Sequence, residues 1–178
     1  MKVEIDLDKI FSLGKINEKE NIRFRSYLKN LDIRIDELDK LVHSINDDVT
    51  KQIDCTKCAN CCKSIKPVLD TADIIKFAEG LNLTSEEFTK NSCSLSESEK
   101  DKYNFNHLPC PFLKDNKCTN YNYRPMDCQS YPHLQKNEFI FRLWGVIDNY
   151  SICPIVFNVF EILKVELWNK NWRKSIEF

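Results

Sequence analysis

The residues able to do chemistry are concentrated in one short stretch, Cys55-Thr56-Lys57-Cys58-Ala59-Asn60-Cys61-Cys62. Four thiols in eight residues are hard to account for as packing. Two-residue gaps between thiols curl a loop around a single point, the arrangement thiolate metal sites use. Further cysteines follow at Cys110-Pro111-Phe112-Leu113, Cys118, Arg124-Pro125-Met126-Asp127-Cys128 and Cys153-Pro154. Cys93 stands alone, with no cysteine at ligand spacing, and reads as a spare thiol. The other eight make two sets of four, and four thiolates complete either a zinc site or one cubane iron–sulfur cluster. Spacing does not say which cysteines share a site.

Cys55, Cys58 and Cys61 follow the C-x2-C-x2-C spacing of bacterial ferredoxins, whose remaining cysteine precedes a proline, as Cys110 and Cys153 do here. Only half of the paired-knuckle pattern of structural zinc sites is present. An iron–sulfur cluster, of the 4Fe-4S kind, is therefore the preferred cofactor and zinc the other reading. The neighbours Cys61 and Cys62 point in different directions, so either one is a bystander or the pair faces two adjoining sites. Arg124 has two readings. Arg124-Pro125 forms a rigid turn presenting Cys128, and its guanidinium either pairs with a carboxylate or stabilises a thiolate-bound, net negative centre. His107 and His133 lie near the distal cysteines, where either could replace a thiolate, and read first as surface or hydrogen-bonding residues. Tyr121, Tyr123 and Tyr131 read as packing over the cysteine loops.

The CxxCxxCC run, the Cys-Pro-Phe-Leu step, a cysteine shortly before Tyr121, Arg124-Pro125-x-x-Cys128 and Tyr131-Pro132 together resemble the YkgJ-type cysteine-cluster family, a zinc- or iron-chelating domain. The likeness covers roughly residues 55–154. It implies that Cys55, Cys58, Cys61, Cys62, Cys110, Cys118, Cys128 and Cys153 are the ligands. A similar pattern occurs in the much longer flagellin lysine-N-methylases, where it accompanies an iron–sulfur cluster and methyl transfer. The chain departs from the pattern at Gln129, where an arginine is usual, and at Asn120, where an apolar residue is usual. The expected function is metal binding by a structural module. The alternative is a metal-dependent enzyme, of redox or methyl-transfer type, acting on a protein substrate, for which no nucleophile–base set is recognisable.

The elements that must position these residues are mainly helical. From about Glu18 to Asp54, Phe24, Leu31, Leu38 and Ile45 recur every seven residues, as do Leu28, Ile35, Val42 and Val49. They are the a and d positions of one long helix that wants a partner: the C-terminal helix of its own chain, or a second copy in a homodimer. Arg34, Asp36, Glu37, Asp39, Lys40 and His43 lie off that seam, on the solvated side. Residues 1–17 read as an extended arm. Thr71 is expected to cap a helix over Ala72–Glu79 stopped by Gly80, and Thr84 with Glu87 a capping box for a helix to Asn91. Residues 92–106 read as a loop with a helical turn, and Phe139–Trp144 as a strand of a small hairpin. Pro154 opens a final, largely buried helix extended by Trp168 and Trp172. The expected fold is mainly α with a small β hairpin. Residues 1–54 form an arm and long helix, and 55–178 a compact cysteine-cluster domain stabilised by its metal.

At 178 residues, 42% hydrophobic and 30% charged, the composition suits a globular protein. A formal charge of -1 with no basic patch beside the cysteines argues against nucleic-acid binding. The start, Met1-Lys2-Val3-Glu4, has no apolar signal region, and the longest apolar stretch, 152–163, is too interrupted to span a membrane. A cytoplasmic location is expected, in which nine cysteines serve as ligands rather than disulfides. Three glycines leave no material for a phosphate-binding loop.

Overall fold

The computed structural model describes residues 3–169 and is mainly helical. Its chain divides into two compact units. One comprises residues 1–54 with 132–178, and the other is the contiguous segment 55–131. Trp172 lies outside the described residues.

In the first unit the segment expected to be an extended arm is a helix, α1 (Leu7–Ile16). Asp6 caps it by accepting the Asp8 and Lys9 N–H groups, and Ile10 is its buried residue. The expected long heptad helix is two helices, α2 (Glu18–Asn30) and α3 (Ile35–Thr50), with Leu31 extended between them. No glycine or proline marks the break. It falls where the heptad pattern would have buried Leu31 and Ile35, and Ile35 is 45% exposed. The rest of the seam, Phe24, Leu28, Leu38, Val42, Ile45 and Val49, is buried. Burial of such side chains contributes about 1.5–3 kcal/mol each.

The seam's partners come from the same unit. Helix α10 (Pro154–Leu163) packs on α3, with Pro154 at its first turn as expected. Phe24 meets Phe160 edge-on at 5.1 Å and stacks on Trp168 at 5.5 Å. A π-helical turn, Lys164–Asn169, continues α10. There the buried Lys164 ammonium is held by Glu20 at 2.8 Å and Glu161 at 2.7 Å. Two acidic partners offset the cost of taking an ammonium out of water. The expected strand over Phe139–Trp144 is instead a 3-10 turn (Phe139–Phe141) leading into α9 (Leu143–Tyr150). Asp39, expected on the solvated side, is buried and fixes that turn by accepting the Glu138 N–H at 2.7 Å and the Phe139 N–H at 2.9 Å. His43 is half-buried rather than solvated, with Nε2 lacking a hydrogen-bond partner. No single described helix is long and apolar enough to cross a membrane.

The second unit opens with α4 (Cys55–Cys58) and α5 (Asn60–Ser64), separated by Ala59 at φ 49° and ψ 19°. Then come β1 (Val68–Leu69), α6 (Thr71–Gly80) and α7 (Ser85–Ser92). The cap of α6 is Asp70 rather than Thr71, in a reciprocal capping box with Asp73. The left-handed residue beyond it is Asn82, and Gly80 is the last residue of the helix. The Thr84–Glu87 box of α7 is present as expected. Residues 92–106, expected as a loop, hold β2 (Cys93–Leu95) and β3 (Tyr103–Phe105). Antiparallel pairing in the order β1-β3-β2 makes a three-stranded sheet. Leu69, Ile74, Phe77, Ala78, Phe88 and Phe105 form its core, with Cys93, Cys110 and Phe112 packed against it. A second hairpin, β4 (Leu113–Lys114) and β5 (Lys117–Cys118), turns through Asp115 and Asn116, both at positive φ. Two consecutive left-handed residues are what a two-residue hairpin turn demands, and Asp and Asn tolerate them. A 3-10 turn (Tyr121–Tyr123) and α8 (Met126–Ser130) complete the unit.

Candidate metal centre

The doubled cysteine sits on α5, and Cys110, which leads into the hairpin of Cys118, is folded back onto it by a main-chain bond. The Cys110 N–H donates to the Cys62 carbonyl at 2.8 Å. Cys110 in turn accepts the Leu113 N–H at 3.0 Å, and Leu113 pairs with Cys118 across the hairpin. At the hairpin turn Asn116 Nδ2 donates to the Lys57 carbonyl at 3.4 Å, tying this loop to the helix that carries Cys55 and Cys58.

Cys128 is placed by two carboxylates that sequence reading did not single out. Asp73 Oδ1 accepts the Met126 N–H at 2.8 Å, and Asp127 Oδ2 accepts the Val68 N–H at 3.1 Å. The start of α8 is thereby fixed to α6 and to the sheet. Asp73 already belonged to a capping box, and Asp127 directly precedes a motif cysteine, so both carried a local signal.

The two departures from the family pattern have local work in this fold. Asn120 is buried and donates from Nδ2 to the Phe77 carbonyl at 2.8 Å. It does so because Gly80 lets the 120–123 segment approach α6. A Cβ on Gly80 would lie 2.3 Å from Asn120 Oδ1 and 2.4 Å from the Tyr123 ring. Gln129 donates from its side-chain amide to the Arg124 carbonyl. Arg124 lies over the Tyr121 ring, 3.5 Å from its centroid, and donates from Nε to the Tyr121 carbonyl at 3.0 Å.

All nine cysteines are thiols. Eight of them, Cys55, Cys58, Cys61, Cys62, Cys93, Cys110, Cys118 and Cys128, belong to the unit 55–131. Cys153, the N-cap residue of α10, belongs to the other unit and is buried. Cys93 packs on the aromatic core, where burial pushes its thiol up to about 11. His107 is exposed, and the His133 carbonyl accepts from Arg142 Nη1 at 2.7 Å.

Charge on one thiol is felt by others across the distal segment. Cys62, Cys110, Cys118 and Cys128 lie within electrostatic reach of one another in every pairing. Cys62 is brought down to about 7, chiefly by the hydrogen bond it shares with the Cys61 thiol 4.0 Å away, with Arg124 and Lys63 adding positive charge against the cost of burial. The other three are pushed up by burial: Cys110 to about 11, Cys128 to about 12, and Cys118 in the same direction. Arg124 acts on Cys118 as well as Cys62. Thiols kept neutral chiefly by burial are groups a divalent cation or cluster would deprotonate and hold.

The donor chemistry fits a thiophilic metal, since soft thiolates select zinc and iron–sulfur centres. Among the described residues no three Cys, His, Asp or Glu side chains are already closed around one point. The main chain brings Cys62, Cys110 and Cys118 onto neighbouring segments.

No curated protein and no solved structure matches the chain. A family model, CxxCxxCC, described as "Putative zinc- or iron-chelating domain", matches residues 54–144. That span takes in the run, the distal hairpin, Arg124 and Cys128, and with it the chain belongs to the CxxCxxCC family of metal-chelating domains.

Proposed function

We propose that the chain is a thiolate metal-binding module that holds an iron–sulfur cluster through the CxxCxxCC run and the distal cysteines, with Arg124 as the cation beside it. The observation that supports this reading is the return of the distal hairpin to the doubled cysteine, with the Cys110 N–H on the Cys62 carbonyl at 2.8 Å and Cys118 paired to Leu113, next to the ferredoxin-like spacing of Cys55, Cys58 and Cys61. A centre held by four thiolates is net negative. The Arg124 guanidinium, held over Tyr121, would stabilise it. Bound metal would also fasten the loop-rich segment 106–130, whose strands and helices are too short to hold themselves.

Anaerobic purification followed by iron, sulfide and zinc analysis and a visible spectrum tests this. Iron and sulfide in cluster proportion with broad visible absorption are expected. A colourless protein holding stoichiometric zinc without sulfide replaces the cluster with zinc, and a chain with no affinity for either metal refutes the module. Cys153 is tested separately: unchanged metal content in Cys153→Ser removes it from the ligand set.

A further inference from the structure

The hairpin of β4 and β5 has two faces, and only the inner one belongs to the thiols. Side chains alternate along a strand, so Leu113 and Cys118, which pair across the hairpin, share its half-buried face. Lys114 and Lys117 pair across the opposite face, and both are exposed. We propose that this outer face, with Lys57 and Lys63 beside it, is a docking surface for an acidic protein segment that presents clustered aspartate and glutamate side chains. The surface lies outside the metal centre, whichever metal that centre holds.

The register itself is unfavourable. Directly opposite residues hold their Cβ atoms about 4.5–5.5 Å apart, and like charges so placed destabilise the pair. A hairpin with two residues in each strand has little stability to spare, yet it sets one ammonium against another. Among the described residues no carboxylate holds either lysine. The metal centre is not their counterion, because alternation turns both lysines away from the face that carries Cys118. Carboxylates supplied by a partner would relieve the repulsion on docking.

Two contacts widen the basic face. Asn116 Nδ2 donates to the Lys57 carbonyl at 3.4 Å, which lays the hairpin turn against α4. Lys63 Nζ donates to the Cys58 carbonyl at 3.2 Å, at the end of that same helix. Lys57 and Lys63 are both exposed. The two pairs of lysines are distant in sequence, so the linear chain does not display the face that the fold assembles. Within residues 55–131 Asp115 is the one carboxylate of the hairpin, and most others lie at α6, at α7 and at 97–101. The chemistry favours carboxylates over a polynucleotide. Single-stranded nucleic acid is held by aromatic platforms as well as charge, and Thr56, Asp115, Asn116 and Thr119, which flank these lysines, offer no ring. The exposed ring of Tyr121 is already covered by Arg124.

The test uses the full, metal-loaded chain and a fluorescein-labelled octaglutamate peptide as the probe. Anisotropy at low ionic strength is expected to show binding that weakens as salt is added. Lys114→Glu should weaken it about tenfold, whereas Lys100→Glu, the same change of charge at a distant turn, should leave it unaltered. The fold is controlled in the same variant. Glutamate opposite Lys117 replaces repulsion by attraction, so Lys114→Glu should melt no lower than wild type while losing affinity. Carbodiimide cross-linking with peptide mapping is expected to place the probe on Lys57, Lys63, Lys114 or Lys117. No binding, equal binding by Lys114→Glu and wild type, equal losses in the two variants, or cross-links mainly at Lys90 and Lys100 overturns the proposal. A single-stranded oligonucleotide of equal charge that binds more tightly through the same lysines also overturns it, in favour of nucleic acid.

Discussion

Replacing Gly80 by alanine puts two opposed effects in competition, and the structure decides the sign. Gly80 is helical with an ordinary negative φ, so propensity alone predicts that alanine stabilises by about 0.5–1 kcal/mol. The added methyl, however, would stand 2.3 Å from Asn120 Oδ1 and 2.4–2.5 Å from two carbons of the Tyr123 ring. Relieving that contact by moving the 120–123 segment costs about 1–3 kcal/mol in overpacking. It also pulls Asn120 off the Phe77 carbonyl, leaving a buried acceptor unpaired at about 1–3 kcal/mol. The net expectation is destabilisation by about 1–5 kcal/mol. For a unit the size of 55–131, each 1 kcal/mol lowers Tm by about 4–8 °C. The assay is thermal unfolding of the metal-loaded chain followed by circular dichroism. Gly145→Ala is the control: Gly145 is also helical, but nothing lies within 4 Å of its Cβ position, so alanine should leave Tm unchanged or raise it. Zinc affinity is a second readout, because the displaced segment leads directly into Arg124. A Gly80→Ala protein as stable as wild type would refute the packing argument, and parallel shifts in both variants would show propensity alone at work.

Arg124→Gln should weaken zinc binding by about tenfold in a chelator competition, the size typical of lost outer-shell partners, with Arg124→Lys intermediate; equal affinities would remove Arg124 from the centre. In metal-free protein, Cys62 should be the first of the four clustered thiols alkylated as pH rises, with a midpoint near its value of about 7, whereas Cys110 and Cys128 should stay protected until far higher pH. The linkage sign follows. Folded values of about 11 and about 12 lie above the unfolded thiol range, so their contribution to stability is full below about pH 8.5 and is lost as pH climbs toward 11–12. Denaturant midpoints of the metal-free chain that do not fall between pH 9 and 11 would refute it. Thr84→Ala removes the oxygen that accepts the Glu87 N–H and should cost about 1 kcal/mol, read as a lower denaturant midpoint.

What the sequence made legible was chemistry and local chain termini. The cysteine run, the Thr84 capping box and the Pro154 helix start all depend on residue type at short range. What stayed hidden depended on partners distant in sequence. Residues 1–17 read as an extended arm, but Gly14 lies within α1, where a Cβ would meet Ser151 Cβ at 2.5 Å. Asp39 looked solvated because its value lies in capping the 138–139 turn nearly a hundred residues away. The split between α2 and α3 carries no glycine or proline, so only packing against α10 reveals it. Residues 92–106 are polar, and their strands exist through pairing with each other and with β1. The Phe139–Trp144 run is apolar enough for a strand, yet it has no sheet to join and instead becomes a turn and a helix.

The left-handed Ala59 has a bearing on how the motif can vary and be reused. Its x positions are not interchangeable spacers. An L-residue in that conformation carries a penalty of about 1–2 kcal/mol, larger still for a branched side chain, and the site is 6% exposed. The residue after the second cysteine must therefore be both small and tolerant of the reversal. Glycine would relax it, whereas valine or isoleucine would straighten the chain and part the two cysteine-bearing helices. A peptide or designed protein that transplants the four thiols without this hinge would inherit the cysteines but not their arrangement.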